Sequence, residues 1–218
     1  MARKLISEQT IIETARRGET SIVLEKGMIV TDAAKDRALQ LGITIGTKSV
    51  SVQKEPMAAT GSAMTQGLKE TIAIGSDHGG FQMKAVLKSM LEGSGHSVVD
   101  VGTYSEESCD YPDFAYAVAR MVSLGEATKG IMIDSVGIAS AIVANKISGI
   151  RAACCSDEFM ARSSREHNNA NVLTLGGKTL GIEVAKSIVT LWLATPFGGG
   201  RHQKRIDKIH DIEKRAKT

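Results

Sequence analysis

From residue 70 to the carboxyl end, short apolar runs alternate with amphipathic stretches. The runs fall at 71–75, 97–101, 130–133, 151–155 and 172–175. Runs of this length, rich in Ile, Val, Leu and Ala, suit strands buried on both faces. Met83, Val86, Leu87, Met90 and Leu91 recur at the spacing of one helix face, and Phe114, Val118, Ala119 and Val122 repeat it. Five strands with intervening helices predict an α/β unit, a doubly wound parallel sheet in three layers. A last amphipathic segment sets Ile206, Ile209 and Ile212 on one stripe, entered through Gly198, Gly199 and Gly200.

Before residue 48 the pattern is shorter and mixed. Ser7 opens a predicted helix that runs to Arg17 and stops at Gly18. Two short strands are expected around Lys26 and Gly27, followed by a second helix capped at Thr31 or Asp32 and ended by Gly42. Residues 48–69, rich in Ser, Ala, Gly, Thr and Met without a sustained period, read as a linker. The expected organisation is a small α+β docking or interaction unit at 1–47, the linker, and a main domain at 70–218. So small a unit has a marginal core and is expected to pack against something.

The chain has 218 residues, 42% of them hydrophobic and 23% charged, as in ordinary soluble proteins. A net charge of +3 without a basic patch disfavours a nucleic-acid partner. The sequence has no run of membrane-spanning length and no apolar signal core at its start. Cys154 and Cys155 are adjacent on an expected strand and point to opposite faces, so they do not readily bridge. With Cys109 as the third cysteine, the usage suits a reducing cytoplasm.

In Rossmann-like sheets of this kind, ligands bind beyond the carboxyl ends of the strands. Polar groups sit at those positions: Asp77 and His78, then Asp134, Ser135 and Gly137, then Ser156 and Asp157, then Lys178. Each has a bland reading: Asp134 suits a helix cap and Asp77 a turn. Their convergence on one expected edge points to a ligand site.

Five segments, in order, carry a resemblance. They are I-A-x-x-x-D-H-G-G-F (72–81), D-Y-P (110–112), A-N-K-x-x-G-I-R-A (144–152), S-R-E-H-N-N-A-N-V-L (164–173) and G-G-R-H-Q-x-R (199–205). Together they resemble the ribose-5-phosphate isomerase B and galactose-6-phosphate isomerase family over about two thirds of the chain. The resemblance implies interconversion of an aldose phosphate and a ketose phosphate through an enediolate, without metal or cofactor. It implies that His167 assists ring opening and Asn168 binds the sugar. Asp77, His78 and Tyr111 would contact substrate, and Lys178, Arg201 and Arg205 the phosphate. A homodimer or a dimer of dimers is expected, with the site between subunits. More loosely, residues 1–47 resemble segments on enzymes packed in bacterial microcompartments. A packing or dimerisation appendage is an equal reading.

One loop departs from the family pattern. The family reads C-G-T-G-x-G, or G-G-S-G-N-G-E, where Cys or Glu is the proton-transfer base. Here Asp134 stands at the cysteine position and Ser140 at the glutamate position, with Val136 in place of the hydroxyl residue. Ser135 and Ala139 replace glycines, so positive φ at either would strain the loop. The expected base is Asp134, with the backbone around Ser135, Gly137 and Ala139 holding the substrate. Two other readings compete: an isomerase for a different sugar phosphate, and a binder that has kept its pocket and lost its base.

Overall fold

The computed structural model describes residues 5–25, 28–46 and 69–216. The chain divides into two compact units, Met1–Thr65 and Gln66–Thr218. The stretch expected to be a linker, but for Lys69 at its end, lies outside the described residues, as do Lys26 and Gly27.

The first unit runs β1 (Leu5–Ile6), α1 (Glu8–Arg16), β2 (Ser21–Val23), β3 (Ile29–Val30), α2 (Asp32–Gln40) and β4 (Thr44–Gly46). Ser7 accepts the Thr10 N–H and Thr31 accepts the Ala34 N–H, so each helix starts on a hydroxyl cap. The two strands expected around residues 26 and 27 form, yet they do not pair with each other. β1 pairs with β3 and β2 with β4, both in parallel. The arrangement is a duplicated strand–helix–strand. Leu5 partners Ile29, and the left-handed glycines Gly18 and Gly42 occupy matching places in the two copies. Ile6, Ile11, Ala34, Ala38 and Ile43 form its core, where the small alanines let α1 and α2 approach.

The second unit runs β5 (Thr71–Ser76), α3 (Phe81–Gly93), β6 (Ser97–Asp100), α4 (Tyr111–Ser123), β7 (Lys129–Asp134) and α5 (Ile138–Ala144). It continues with β8 (Ala152–Cys154), α6 (Glu158–Glu166), β9 (Val172–Gly176), α7 (Ile182–Ala194) and α8 (Arg201–Arg215). All five strands are parallel, in the order β6-β5-β7-β9-β8. Ile74, Ile131, Ile133, Leu173 and Leu175 face α3, α6 and α7, where Leu87 and Trp192 complete one core. Ala73, Met132 and Val172 face α4 and α5 on the other side, against Val118 and Ala144. This is the expected three-layer doubly wound sheet.

Sheet polarity fixes where the polar groups stand. The β5–α3, β7–α5 and β9–α7 loops lie on the upper rim, at the carboxyl ends of the strands. α6 leaves the top of β8 and descends, so its end lies at the lower rim, where β9 begins. There the Asn171 carbonyl accepts from Gly130 N at 2.9 Å, beside the start of β7, and the Glu166 carbonyl accepts from Gly198 N at 2.9 Å, just before α8.

Candidate active site

The upper rim opens at the topological switch point between β5 and β7, where the connections leave in opposite directions. Asp77 is buried, and its Oδ1 accepts the Gly80 N–H at 3.0 Å. A Cβ on Gly80 would stand 2.3 Å from the Ile133 carbonyl oxygen, so only glycine lets this loop lie against β7. His78 is half-buried, with Nδ1 3.3 Å from the Cys109 N–H and also 3.3 Å from the Cys109 carbonyl. Tyr111 opens α4 on the same rim. Lys178 donates its backbone N–H to the Ser135 carbonyl at 3.1 Å, while its side chain is exposed.

Asp134 ends β7 and is 2% exposed. Its Oδ1 accepts from Val136 N at 2.7 Å and from Gly137 N. Its Oδ2 accepts from Ser140 N at 3.0 Å and from the Ser140 hydroxyl. Four donors match the four acceptor sites of a carboxylate. The side chain thus faces its own loop and caps the start of α5. The single left-handed residue of this loop is Gly137, at φ 89°, and the Thr174 hydroxyl pins its carbonyl at 2.7 Å. Ser135 and Ala139 do not take positive φ, so the strain foreseen for them is absent: the turn falls on the one glycine kept.

Neither cysteine of β8 and its end replaces the missing thiol. Cys154 Sγ lies under the loop, 3.9 Å from the Val136 carbonyl, and burial and the nearby Asp134 push its thiol up. Burial pushes Cys155 up to about 11. Both stay protonated at neutral pH. Among the described residues no group of three or more His, Cys, Asp or Glu is arranged to hold a metal, and no helix is long and apolar enough to cross a membrane.

A second cluster occupies the lower rim. His167 caps the end of α6, with Nδ1 3.2 Å from the Ser163 hydroxyl. Its ring stacks on His202, centroids 4.4 Å apart and planes 9° from parallel. His202 is 6% exposed and its Nδ1 has no hydrogen-bond partner. Burial, aided by His167, Arg201 and Arg205, holds its pKa below the ordinary imidazole value. Asn168 is exposed beside it, and Arg201 and Arg205 lie in the opening turns of α8. No spacing signal in the sequence marks His202 as buried, because its cover comes from α6.

The strand-end groups share the upper rim, as expected, while the groups that the family resemblance added gather at the lower one. β9 alone, rising about 3.3 Å per residue, separates the two edges by roughly 13 Å. Asp77, His78, Asp134 and Lys178 stand at one rim, while His167, Asn168, Arg201 and Arg205 stand at the other. One reacting carbon pair cannot be within hydrogen-bond reach of both.

A model of the family described as Ribose/Galactose Isomerase matches residues 72–209. Ribose-5-phosphate isomerase B of Escherichia coli is 46% identical over 144 residues, 66% of this chain and 97% of that protein. D-erythrulose-4-phosphate isomerase of Pectobacterium atrosepticum is 38% identical over 148 residues, 67% of this chain and 97% of that protein. The Clostridium thermocellum ribose-5-phosphate isomerase B structure aligns at TM-score 0.66 and 49% identity, covering 67% of this chain and 99% of that one. The Mycoplasma genitalium enzyme, with bound ribulose-5-phosphate, aligns at TM-score 0.64 and 40% identity, covering 66% and 96%. The matched residues include both clusters, and the amino-terminal unit, with its loose microcompartment likeness, draws no support from them. By sequence and by fold, residues 72–209 make this chain a member of the ribose/galactose isomerase family.

Proposed function

We propose that the chain is an aldose–ketose isomerase for a sugar phosphate, working through an enediolate, with ribose 5-phosphate and ribulose 5-phosphate as the default pair. The observation that carries this reading is the pair of complementary half-sites. The upper one offers hydroxyl-binding groups and a carboxylate over the reacting carbons. The lower one offers an imidazole for ring opening and two arginines for the phosphate. Because they stand on opposite edges of one sheet, a working site takes the upper rim of one protomer and the lower rim of another. A two-fold pair closes two such sites at once. Apolar side chains flank both half-sites: Val136, Ile138 and Ile142 are 48%, 57% and 57% exposed, and Ile209 and Ile212 on α8 are 44% and 59% exposed. A second copy would cover them.

In this scheme Asp134 takes the proton between C1 and C2. The Ser140 hydroxyl is the one rotatable donor among its four partners, so turning it away frees an Oδ2 lone pair while three backbone donors keep the carboxylate in place. His167 moves the ring-oxygen proton, and Arg201 and Arg205 neutralise the phosphate. The site is cytoplasmic by this reading.

The occupancy of Asp134 also favours a second reading, a sugar-phosphate binder without turnover, since both carboxylate oxygens already accept from four donors of their own loop. Solvent-deuterium incorporation at C1 of ribulose 5-phosphate separates them. Incorporation that Asp134→Asn abolishes supports the isomerase. Binding without incorporation supports the binder. Repeating the assay with erythrulose 4-phosphate and a six-carbon ketose phosphate identifies the sugar.

A further inference from the structure

The turn from α6 to β9 carries His167 and Asn168, and its backbone has an unusual need. A helix ends with carbonyls that lack intrahelical partners, and here the chain also turns through Asn169 at φ 46°, the one non-glycine residue with positive φ among those described. Asparagine tolerates that conformation better than most residues, at a cost. Something must hold it.

Arg151, just before β8, does so. Its Nε lies 3.1 Å from the Asn168 carbonyl and 3.1 Å from the Asn169 carbonyl, and its Nη2 lies 2.9 Å from the Asn169 carbonyl. Its backbone N–H donates to Asn171 Oδ1 at 2.8 Å, and Asn171 Nδ2 returns to the Gly149 carbonyl at 2.9 Å. The remaining arm, Nη1, reaches His210 Nε2 on α8 at 3.2 Å. A guanidinium only donates, so that imidazole nitrogen accepts. One planar cation therefore spans the turn bearing His167 and Asn168 and the helix bearing Arg201, His202 and Arg205. Arg165 in turn holds Asn169 Oδ1 and the Ala170 carbonyl.

We infer that Arg151 is a positioning residue that fixes the His167 turn, with α8 as its second anchor, so that the ring-opening group keeps one geometry. The inference rests on the proposed isomerase reading. It assigns Arg151 no contact with substrate. Its effect belongs to ring opening and not to proton transfer at carbon, since the base stands on the other rim.

Two substrates separate those steps. Ribose 5-phosphate enters as a ring and needs His167; ribulose 5-phosphate is open-chain, and deuterium exchange at its C1 needs no ring chemistry. In Arg151→Met, isomerisation of ribose 5-phosphate is expected to fall about 100-fold, the scale of a catalytic group displaced by an ångström. Deuterium exchange into ribulose 5-phosphate is expected to stay within about threefold. Arg151→Lys keeps the charge but not the planar fork, and is expected to restore stability without restoring ring-form turnover. Independently of activity, amide hydrogen exchange at residues 168–171 should quicken about tenfold in Arg151→Met while β5 and β7 are unchanged. Equal loss of both reactions, or full rescue by lysine, overturns the positioning role, as does unchanged amide exchange at the turn. If the unaltered protein performs neither reaction, the isomerase reading fails, and the amide measurement still decides whether Arg151 holds the turn.

Discussion

Asp134 has a short side chain, and its surroundings explain both its burial and its demands. A carboxylate that loses water needs donors for its acceptor sites, and the loop provides three N–H groups and a hydroxyl. Asp134→Asn puts an amide donor against at least one of those N–H groups. The expected outcome is a loss of about 2 kcal/mol, read by urea unfolding. Ser140→Ala removes only the hydroxyl and is expected to cost about 1 kcal/mol. On the lower rim, His202 has a pKa held below its ordinary 6.5. The unfolded chain therefore takes up a proton near pH 6.5 while the folded chain resists it, so stability falls as pH drops from about 6.5 towards the folded value. Unfolding midpoints between pH 7.5 and 5.5, roughly that span, should show this slope, and His202→Asn should flatten it. An equal slope in both proteins would remove His202 from the account.

Elements meet at contacts that leave little room. The β5–α3 loop rests on β7 because Gly80 has no side chain, so Gly80→Ala must push the loop off the strand. About 3 kcal/mol of destabilisation is expected, with weaker sugar-phosphate binding because Asp77 and His78 move with it. On α3, Lys84 is 2% exposed; its Nζ lies 2.6 Å from Asp100 Oδ1 and 2.6 Å from the Thr103 carbonyl. It ties α3 to the loop that leads to Cys109, the partner of His78. Lys84→Ala strands Asp100, itself only partly exposed, and is expected to cost about 3 kcal/mol in urea titration. The strands were legible because parallel strands buried on both faces leave unbroken apolar runs. α5 was not. It is one short helix after a left-handed glycine, with its N-terminus capped by an aspartate that the sequence also offered as a base. The parallel pairing in the first unit was also hidden, since strands of two or three residues carry no alternation that reveals a partner.

At the scale of the molecule, opposite half-sites make a prediction about mixtures. His78→Ala and His167→Ala disable different rims. Each variant alone should be inactive, and mixed, re-equilibrated subunits should regain about one quarter of the full activity, since half the pairs are mixed and each restores one site of two. No regain on mixing, with exchange of subunits verified by mass, would mean that a site is complete within one chain. The sequence expected the strand-end groups on one edge and a site between subunits, but it did not say that His167, Arg201 and Arg205 stand at the opposite edge. Nothing in the spacing of His167 says that nine helical residues carry it down the height of the sheet.

What the sequence alone determined was the alternation of strands and helices, the family of the main domain, and the chemical groups available, because these follow from periodicity and residue type. Tertiary structure decided which groups face each other: the pairing order of strands, the enclosure of Asp134 by its own loop, the stacking of His202 on His167, and the division of the candidate groups between two rims. Those depend on where each returning helix ends and on which donors a buried charge finds in space, and neither is written in the distance between residues along the chain.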